Sequence, residues 1–199
     1  MNTLNPSQGP RSRRTFLTGA TLSGSALLLL AGCSNMSRGN TAMAATAATP
    51  AQDVEILNIA LGLEHQAIGA YQLGAESNLL QRPVLETAVL FQSHHKSHRD
   101  ALTAAVRQMG GRPVESMTQA QYATQLNAAR LANQTDVLKL ALELEKGAAE
   151  AYLSVIPSFK NTDLAKVSAR LASDEVMHWT VLQQALQMPI PQPALSFGV

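Results

Sequence analysis

The sequence predicts an all-α protein: a bundle of four helices, arranged as two antiparallel hairpins joined by a long crossover. The composition favours helix, because Ala, Leu, Gln and Glu are abundant and lose little rotamer freedom there. Apolar residues recur at helical spacing in four separate segments. The last two segments are near copies of the first two, so the fold is one helical hairpin repeated.

The repeat is visible residue by residue. Residues 57–71 (LNIALGLEHQAIGAY) align with residues 138–152 (LKLALELEKGAAEAY) at an offset of 138 − 57 = 81, and 8 of the 15 positions are identical. A fainter match relates residues 93–106 to residues 173–186 at an offset of 173 − 93 = 80. Identity this far above chance indicates that one structural unit was duplicated.

The first hairpin is predicted at about residues 53–109. Its first helix extends from about residue 53 to residue 80, and the turn falls at Arg82-Pro83, because a residue before proline avoids the helical region. Its second helix extends from about residue 83 to residue 109. Gly110-Gly111 is a typical signal for the end of a helix.

The second hairpin follows a long connector, residues 110–134, in which we expect a short helix at about residues 119–132. The third long helix begins near Thr135-Asp136 and breaks at Pro157. The fourth begins near residues 161–163, whose short polar side chains cap helices, and ends before Pro189. The domain therefore covers residues 53–188, and the proline-rich tail, residues 189–199, is predicted to be extended.

The first 33 residues are predicted to be an export signal. Arg13 and Arg14, followed by Phe16 and Leu17, resemble a twin-arginine signal, which is an address read by a receptor. The apolar run behind them is interrupted by Thr, Gly and Ser and is too short for a committed transmembrane helix. The resemblance implies a protein that is exported, already folded, to the periplasm or cell envelope.

Cys33 is the only cysteine, which excludes an intramolecular disulfide. The small residues that follow a Leu run and end at Cys33 resemble the lipobox of bacterial lipoproteins, in which the thiol is acylated. A lipid there, followed by a flexible linker at residues 34–52, would anchor the domain to a membrane. The alternative is ordinary cleavage in the small-residue stretch at residues 41–45.

The charge balance argues against nucleic acid as a partner. Residues 1–52 hold four Arg and no acid, so residues 53–199 carry 15 − 4 = 11 basic and 14 acidic side chains, a net charge of −3. No basic stripe is available there to neutralise phosphates.

Two glutamates occupy matching positions on otherwise apolar helix faces. Glu64 follows Leu57 and Leu61 at helical spacing, and Glu145 lies at the repeat-equivalent position of the third long helix. Both are predicted to point into the bundle. Two buried carboxylates require a compensating cation, because an unpaired buried charge is strongly destabilising.

The other two long helices bring histidine to the same level. Glu175 and His178 are spaced i, i+3, which places both on one face within a turn. His95 and His98 occupy the equivalent positions of the first hairpin. The predicted metal ligands are therefore Glu64, His95, His98, Glu145, Glu175 and His178.

This set of residues resembles the metal site of the ferritin-like carboxylate proteins, which take one Glu from each of two helices and a Glu-x-x-His pair from each of the other two. Glu64 and Glu145 match the single glutamates, residues 175–178 (EVMH) match one pair, and His98 matches the other histidine. The resemblance covers residues 53–188. It implies a ferritin-like bundle with a di-iron site, and zinc, manganese or copper are other metals to consider.

The chain departs from that pattern at His95, where members of the family carry Glu. In the family this glutamate bridges two metals, whereas a neutral imidazole offers no pair of oxygens. Three carboxylates would leave a charge of about +1 on two Fe²⁺ ions. Three outcomes are open: a pair of metal ions is held in a different geometry, only one metal ion binds, or the site has lost its redox activity.

Two functions remain open at the level of the sequence. The first is an envelope protein that binds iron or another divalent transition metal and oxidises Fe²⁺ or reduces dioxygen or peroxide. The second is a non-catalytic lipoprotein, a binding or structural module whose site holds zinc or has degenerated. The sequence names no redox partner.

Three residues near the predicted ligands also keep alternative roles. Tyr71 and Tyr152 are either core packing or hydrogen-bond partners and redox-active phenols. His94 lies either on the surface or directly behind the ligands.

Overall fold

The computed structural model describes residues 50–198, and every regular element in that range is helical, as the sequence predicts. The α-helices are α1 (Pro50–Glu76), α2 (Arg82–Gln108), α3 (Gln119–Gln125), α4 (Gln134–Val155) and α5 (Thr162–Ala185). Two 3₁₀ turns, Ala128–Arg130 and Ile156–Ser158, precede α4 and follow it. None of these described helices is long and apolar enough to cross a membrane.

The predicted export signal and most of the predicted linker lie outside the described residues. This applies to Arg13, Arg14 and Cys33. The last three residues of the predicted linker, 50–52, belong to α1. Proline suits this position, because the N–H that it lacks has no partner in the first turn of a helix.

α1 ends at Glu76, four residues earlier than predicted. Ser77 Oγ donates a hydrogen bond to Gly74 O (2.7 Å) and accepts one from Leu79 N (3.1 Å). Asn78 adopts a left-handed conformation with φ 58°, which asparagine tolerates better than most residues. These local bonds turn the chain toward α2 before the predicted end of the helix.

The helix in the connector is also shorter than predicted. Thr118 and Gln121 form a capping box at the start of α3. Asn127, with φ 53°, then interrupts the helix, and only a 3₁₀ turn follows. The predicted helix at residues 119–132 is therefore two short pieces.

The connector follows α1 and forms the predicted long crossover. Asn58 Nδ2 donates to Arg112 O (3.0 Å), and Val114 N donates to Asn58 Oδ1 (2.8 Å). Further along, Gln119 Nε2 donates to Gly69 O (3.0 Å). The chain therefore returns from the end of α2 to the opposite end of the bundle before α4 begins. We call the end with the α1–α2 turn the upper end, and the end with the α4–α5 turn the lower end.

The two hairpins pack around a core that is divided into two apolar layers. α1 packs against α2, α4 against α5, and α1 also against α4. The buried side chains of the upper layer are Tyr71, Ala88, Phe91, Leu138, Leu142, Trp179 and Leu182. Those of the lower layer are Leu57, Ala60, Leu61, Leu102, Val106, Ala148, Tyr152, Leu164, Leu171 and Ala172. The predicted ligands lie between these layers.

Candidate metal centre

The six side chains that the sequence predicts as metal ligands lie together in one charged layer between the two apolar layers. They come from all four long helices, and none is more than 7% exposed. The set is Glu64, His95, His98, Glu145, Glu175 and His178. Burial of so many ionisable groups at one level requires that they compensate each other or bind a cation.

Helical spacing explains why these side chains meet. Positions 91, 95, 98 and 102 of α2 follow at steps of 4, 3 and 4, and positions 171, 175, 178 and 182 of α5 do the same. Such steps keep side chains on one face of a helix. The outer members of each series are buried apolar residues, so the two polar members between them also face the core.

His95 lies at the centre of the charged layer. Its Nδ1 is 2.8 Å from Glu64 Oε2, and its Nε2 is 3.1 Å from Glu145 Oε1. Nδ1 is also 3.8 Å from Glu175 Oε1. The imidazole thus reaches a carboxylate with each nitrogen, on opposite sides of its ring.

Two overlapping groups within this layer have the spacing of metal ligands. One comprises Glu64, His95, His98 and Glu175, and the other His95, Glu145, Glu175 and His178. Within each group, one ligand atom per residue lies within 4.8 Å of all the others. His95 and Glu175 belong to both groups, so the two groups are adjacent and overlap.

Two buried polar atoms of the cluster have no hydrogen-bond partner among the described residues. These atoms are His98 Nδ1 and Glu175 Oε1, which face each other at 3.1 Å without hydrogen-bond geometry. Unsatisfied buried donors and acceptors are rare in folded proteins, because each costs the loss of its hydration. A cation bound between this nitrogen and this oxygen would satisfy both, so the donor set fits a metal ion.

Two tyrosines hold the single glutamates from the opposite hairpin. The Tyr71 hydroxyl donates to Glu145 Oε1, and the Tyr152 hydroxyl donates to Glu64 Oε1. Burial and the adjacent carboxylates raise the pKa of both phenols well above their usual value, so each keeps its proton. The sequence left core packing and hydrogen bonding open as roles for these tyrosines. In the structure, both hydroxyls form hydrogen bonds.

Two further residues contact the outer nitrogens of the histidines. His98 Nε2 is 3.1 Å from Asp174 Oδ2, and His178 Nε2 is 2.9 Å from His94 Nδ1. His94 therefore lies directly behind a predicted ligand. Sequence reasoning missed Asp174, although the repeat pointed to it: Asp174 is equivalent to His94 at the offset 174 − 94 = 80.

The imidazoles and carboxylates of the cluster hold each other in their charged forms. Burial alone lowers the pKa of His95, but hydrogen bonds with Glu145 and Glu64 outweigh it and raise the pKa to about 11. Burial likewise lowers the pKa of His98, but the nearby carboxylates of Glu175 and Glu64 outweigh it and raise the pKa to about 10. Burial alone raises the pKa of Glu64, yet its hydrogen bond with His95 and the nearby ring of His98 lower it to about 2. Without metal, His95 is thus an imidazolium at neutral pH.

Comparison with known proteins agrees with this architecture. Residues 52–188 match the family model of the ferritin-like domain. Among solved structures, a conserved hypothetical protein from Mycobacterium tuberculosis superposes with a TM-score of 0.62 at 19% identity, over 69% of this chain and 99% of that one. A dodecameric thioferritin, the bacterioferritin-related protein from Bacteroides fragilis, superposes with a TM-score of 0.58 at 18% identity, over 70% and 86%. At such identities the two structures show the shared fold alone. No curated protein sequence matches this chain.

The stability of the metal-free protein should fall as the pH rises above neutrality. A histidine whose pKa is raised by folding contributes its full stabilisation below the pKa of the unfolded chain, about 6.5. For His95 and His98 this stabilisation is lost as the pH rises through their folded pKa values of about 11 and 10. Glu64 acts in the opposite direction, since its contribution is lost as the pH falls from 4.5 through about 2. Urea unfolding in the presence of a chelator should therefore give a maximum between about pH 4.5 and 6.5.

The His95→Gln variant should show a flatter decline at alkaline pH, because it lacks the group with the larger shift. His65→Gln is the control, because His65 lies outside the cluster. Its Nε2 contacts the carbonyl oxygen of Val114 in the connector (3.2 Å). A free energy of unfolding that stays constant or rises between about pH 6.5 and 10 would contradict the assignment of charges.

Proposed function

We propose that this chain, which belongs to the ferritin-like domain family, binds a pair of divalent transition-metal ions, iron first among them, in the charged layer. The observation that carries the proposal is the pair of overlapping ligand groups that share His95 and Glu175. The facing, unpartnered atoms of His98 and Glu175 support it, because a metal ion would satisfy both. Glu64 with His98 would complete one position, and Glu145 with His178 the other.

The donor set suits iron but also admits other metals. Three carboxylates and three imidazoles form a mixed oxygen and nitrogen environment, which Fe²⁺, Mn²⁺, Zn²⁺ and Cu²⁺ all accept. With His95 as a neutral imidazole, which can bind one of the two ions at a time, the three carboxylates leave a net charge of about +1 on two divalent ions. His95, where the family pattern has a glutamate, is the reason for this excess.

The activity that we propose is oxidation of Fe²⁺ with reduction of dioxygen or peroxide. Bound iron would supply the electrons for that chemistry. The protein contributes a layer that is shielded from bulk water above and below, since the six residues are buried between apolar layers, while a surface cavity of about 420 Å³ reaches the layer beside His98. Tyr71 and Tyr152 orient the glutamates and hold protons at their hydroxyl oxygens beside the layer.

A second candidate, a zinc-binding or metal-free structural module, is favoured by one observation. His95 bonds Glu64 with one nitrogen and Glu145 with the other, and in its protonated form it supplies the positive charge that the buried carboxylates need. The cluster can therefore neutralise much of its own charge without an ion. Metal analysis separates this candidate from the first.

Replacement of Glu145 by Ala should remove bound metal. Protein purified after folding in the cytoplasm should contain about two metal ions per chain, mainly iron, and the variant substantially fewer, because one ligand group loses a carboxylate. The control is Glu143→Ala, an exposed glutamate on the same helix. Elemental analysis gives the result. Less than about 0.2 metal per chain in the wild type would exclude the metal site, and zinc alone would exclude its redox activity.

Asp174 should increase the affinity of the His98 position for metal. Its carboxylate lies at Nε2 of His98, and such a partner orients a histidine and makes its other nitrogen a better ligand. Asp174→Asn should weaken metal binding by about 10- to 100-fold in an anaerobic Fe²⁺ or Co²⁺ titration. The control is Asp100→Asn, because Asp100 pairs with Arg99 on the surface. Equal affinities for Asp174→Asn and wild type would argue against this role.

We also propose that the domain acts outside the cytoplasm. The support is Arg13-Arg14 and the lipobox-like segment that ends at Cys33. Replacement of both arginines by lysine should leave the protein in the cytoplasm, because a receptor reads the arginine pair. Cys33→Ala should release the exported protein from the membrane fraction. Export that continues in the double-lysine variant would exclude the twin-arginine route.

A further inference from the structure

A cavity of about 200 Å³ occupies the upper apolar layer, next to the charged layer. All four long helices line it, and each presents a small residue toward it. These are Ala70 and Gly74 of α1, Ala88 of α2, Ala141 of α4 and Ala185 of α5. The cavity is thus the result of residue size on every helix and not of one local gap.

The lower end of the bundle shows that the fold does not require this cavity. The corresponding cavity there measures about 10 Å³. Every residue that lines it, apart from Phe159, is the repeat equivalent of a residue that lines the upper cavity. Val155 stands where the upper end has Gly74, at the offset 155 − 74 = 81, and Phe159 adds a ring from the α4–α5 turn. The same duplicated scaffold is therefore packed at one end and open at the other.

The chemistry of the walls determines what the cavity accepts. Only two lining side chains carry a polar atom, and both are paired: Thr87 Oγ1 donates to Pro83 O (3.0 Å), and the Tyr71 hydroxyl donates to Glu145. A buried water molecule needs two to four polar partners, which these walls do not offer. An apolar cavity of about 150 Å³ in another protein stays dry and binds benzene or xenon.

We propose that the upper cavity is a binding site for a compact, uncharged, apolar molecule of about the size of a substituted benzene ring. Such a molecule would bury its surface against aliphatic and aromatic side chains without leaving a polar group unpaired. The cavity reaches the outside near Pro83 and Val181, and Val181 is 38% exposed.

The bound molecule would contact the charged layer through two aromatic rings that line the cavity. The Phe91 ring stacks on His178 with centroids 4.1 Å apart, and the Tyr71 ring lies 5.3 Å from the ring of His95. Occupancy of the cavity is therefore sensed by residues of the charged layer. The site itself requires no metal, so a negative result for the metal centre would not exclude this cavity as a binding site, and the reverse also holds.

The experiment uses toluene as the probe, with metal-free protein in the presence of a chelator. Toluene should raise the thermal midpoint in a concentration-dependent way, because it binds only the folded state. Phenol, which has a similar shape but adds a hydroxyl without a partner, should bind at least about tenfold more weakly. No stabilisation by toluene, or equal binding of phenol, would overturn the proposal.

Variants that fill the cavity complete the test. Ala88→Leu should weaken toluene binding at least about tenfold, since the added side chain occupies the same space. Ala141→Leu fills the cavity from α4, and it is used in place of Ala88→Leu if that variant does not fold. The control is Ala104→Leu on the exposed face of α2. Unchanged toluene binding in the folded variants would exclude this cavity as the site.

Nuclear magnetic resonance of the histidine side chains tests the contact with the charged layer. Saturation with toluene should shift the ring signals of His178 and His95, because Phe91 and Tyr71 lie between them and the cavity. The signal of His65, outside the layer, should not move. An unshifted His178 at saturation would show that the bound molecule does not reach the layer.

Discussion

The burial of two carboxylates is the constraint on which the rest of this bundle depends. Glu64 and Glu145 are each 1% exposed, and a buried charge is stable only where partners replace the water that it has lost. His95 lies between them, and a tyrosine from the opposite hairpin donates to each. All four long helices must therefore present a polar group at one level, and the apolar core is split into an upper and a lower layer.

Duplication supplies these partners across the hairpins. Tyr71 of the first hairpin donates a hydrogen bond to Glu145 of the second, and Tyr152 of the second donates one to Glu64 of the first. Neither hairpin completes the surroundings of its own glutamate. The copies differ where α2 carries histidine at positions 94 and 95 and α5 carries carboxylates at the equivalent positions 174 and 175. The charged layer is thus richer in nitrogen donors on one side and in oxygen donors on the other.

This asymmetry changes how the charged layer is neutralised. With His95 protonated, the layer carries an internal cation that neutralises part of the carboxylate charge without a metal. A metal ion that binds there must displace protons from the histidines, so proton concentration and metal compete for the same atoms. If the layer binds the proposed metal, stability and metal affinity are coupled through these imidazoles.

The sequence by itself determined the four helices, the crossover and the six residues that face the charged layer, because a period of 3.6 residues identifies which side chains share a face. It placed helix ends less well, since the hydrogen bonds of Ser77 and the left-handed Asn78 and Asn127 are local choices that apolar spacing does not encode. Only the tertiary structure decided which tyrosine serves which glutamate, that Asp174 lies behind His98, and that one end of the bundle is hollow. The first two features depend on the rotation and height of one helix against another, and spacing along a single helix carries no information about either. The third depends on which small side chains from the four helices meet at one level.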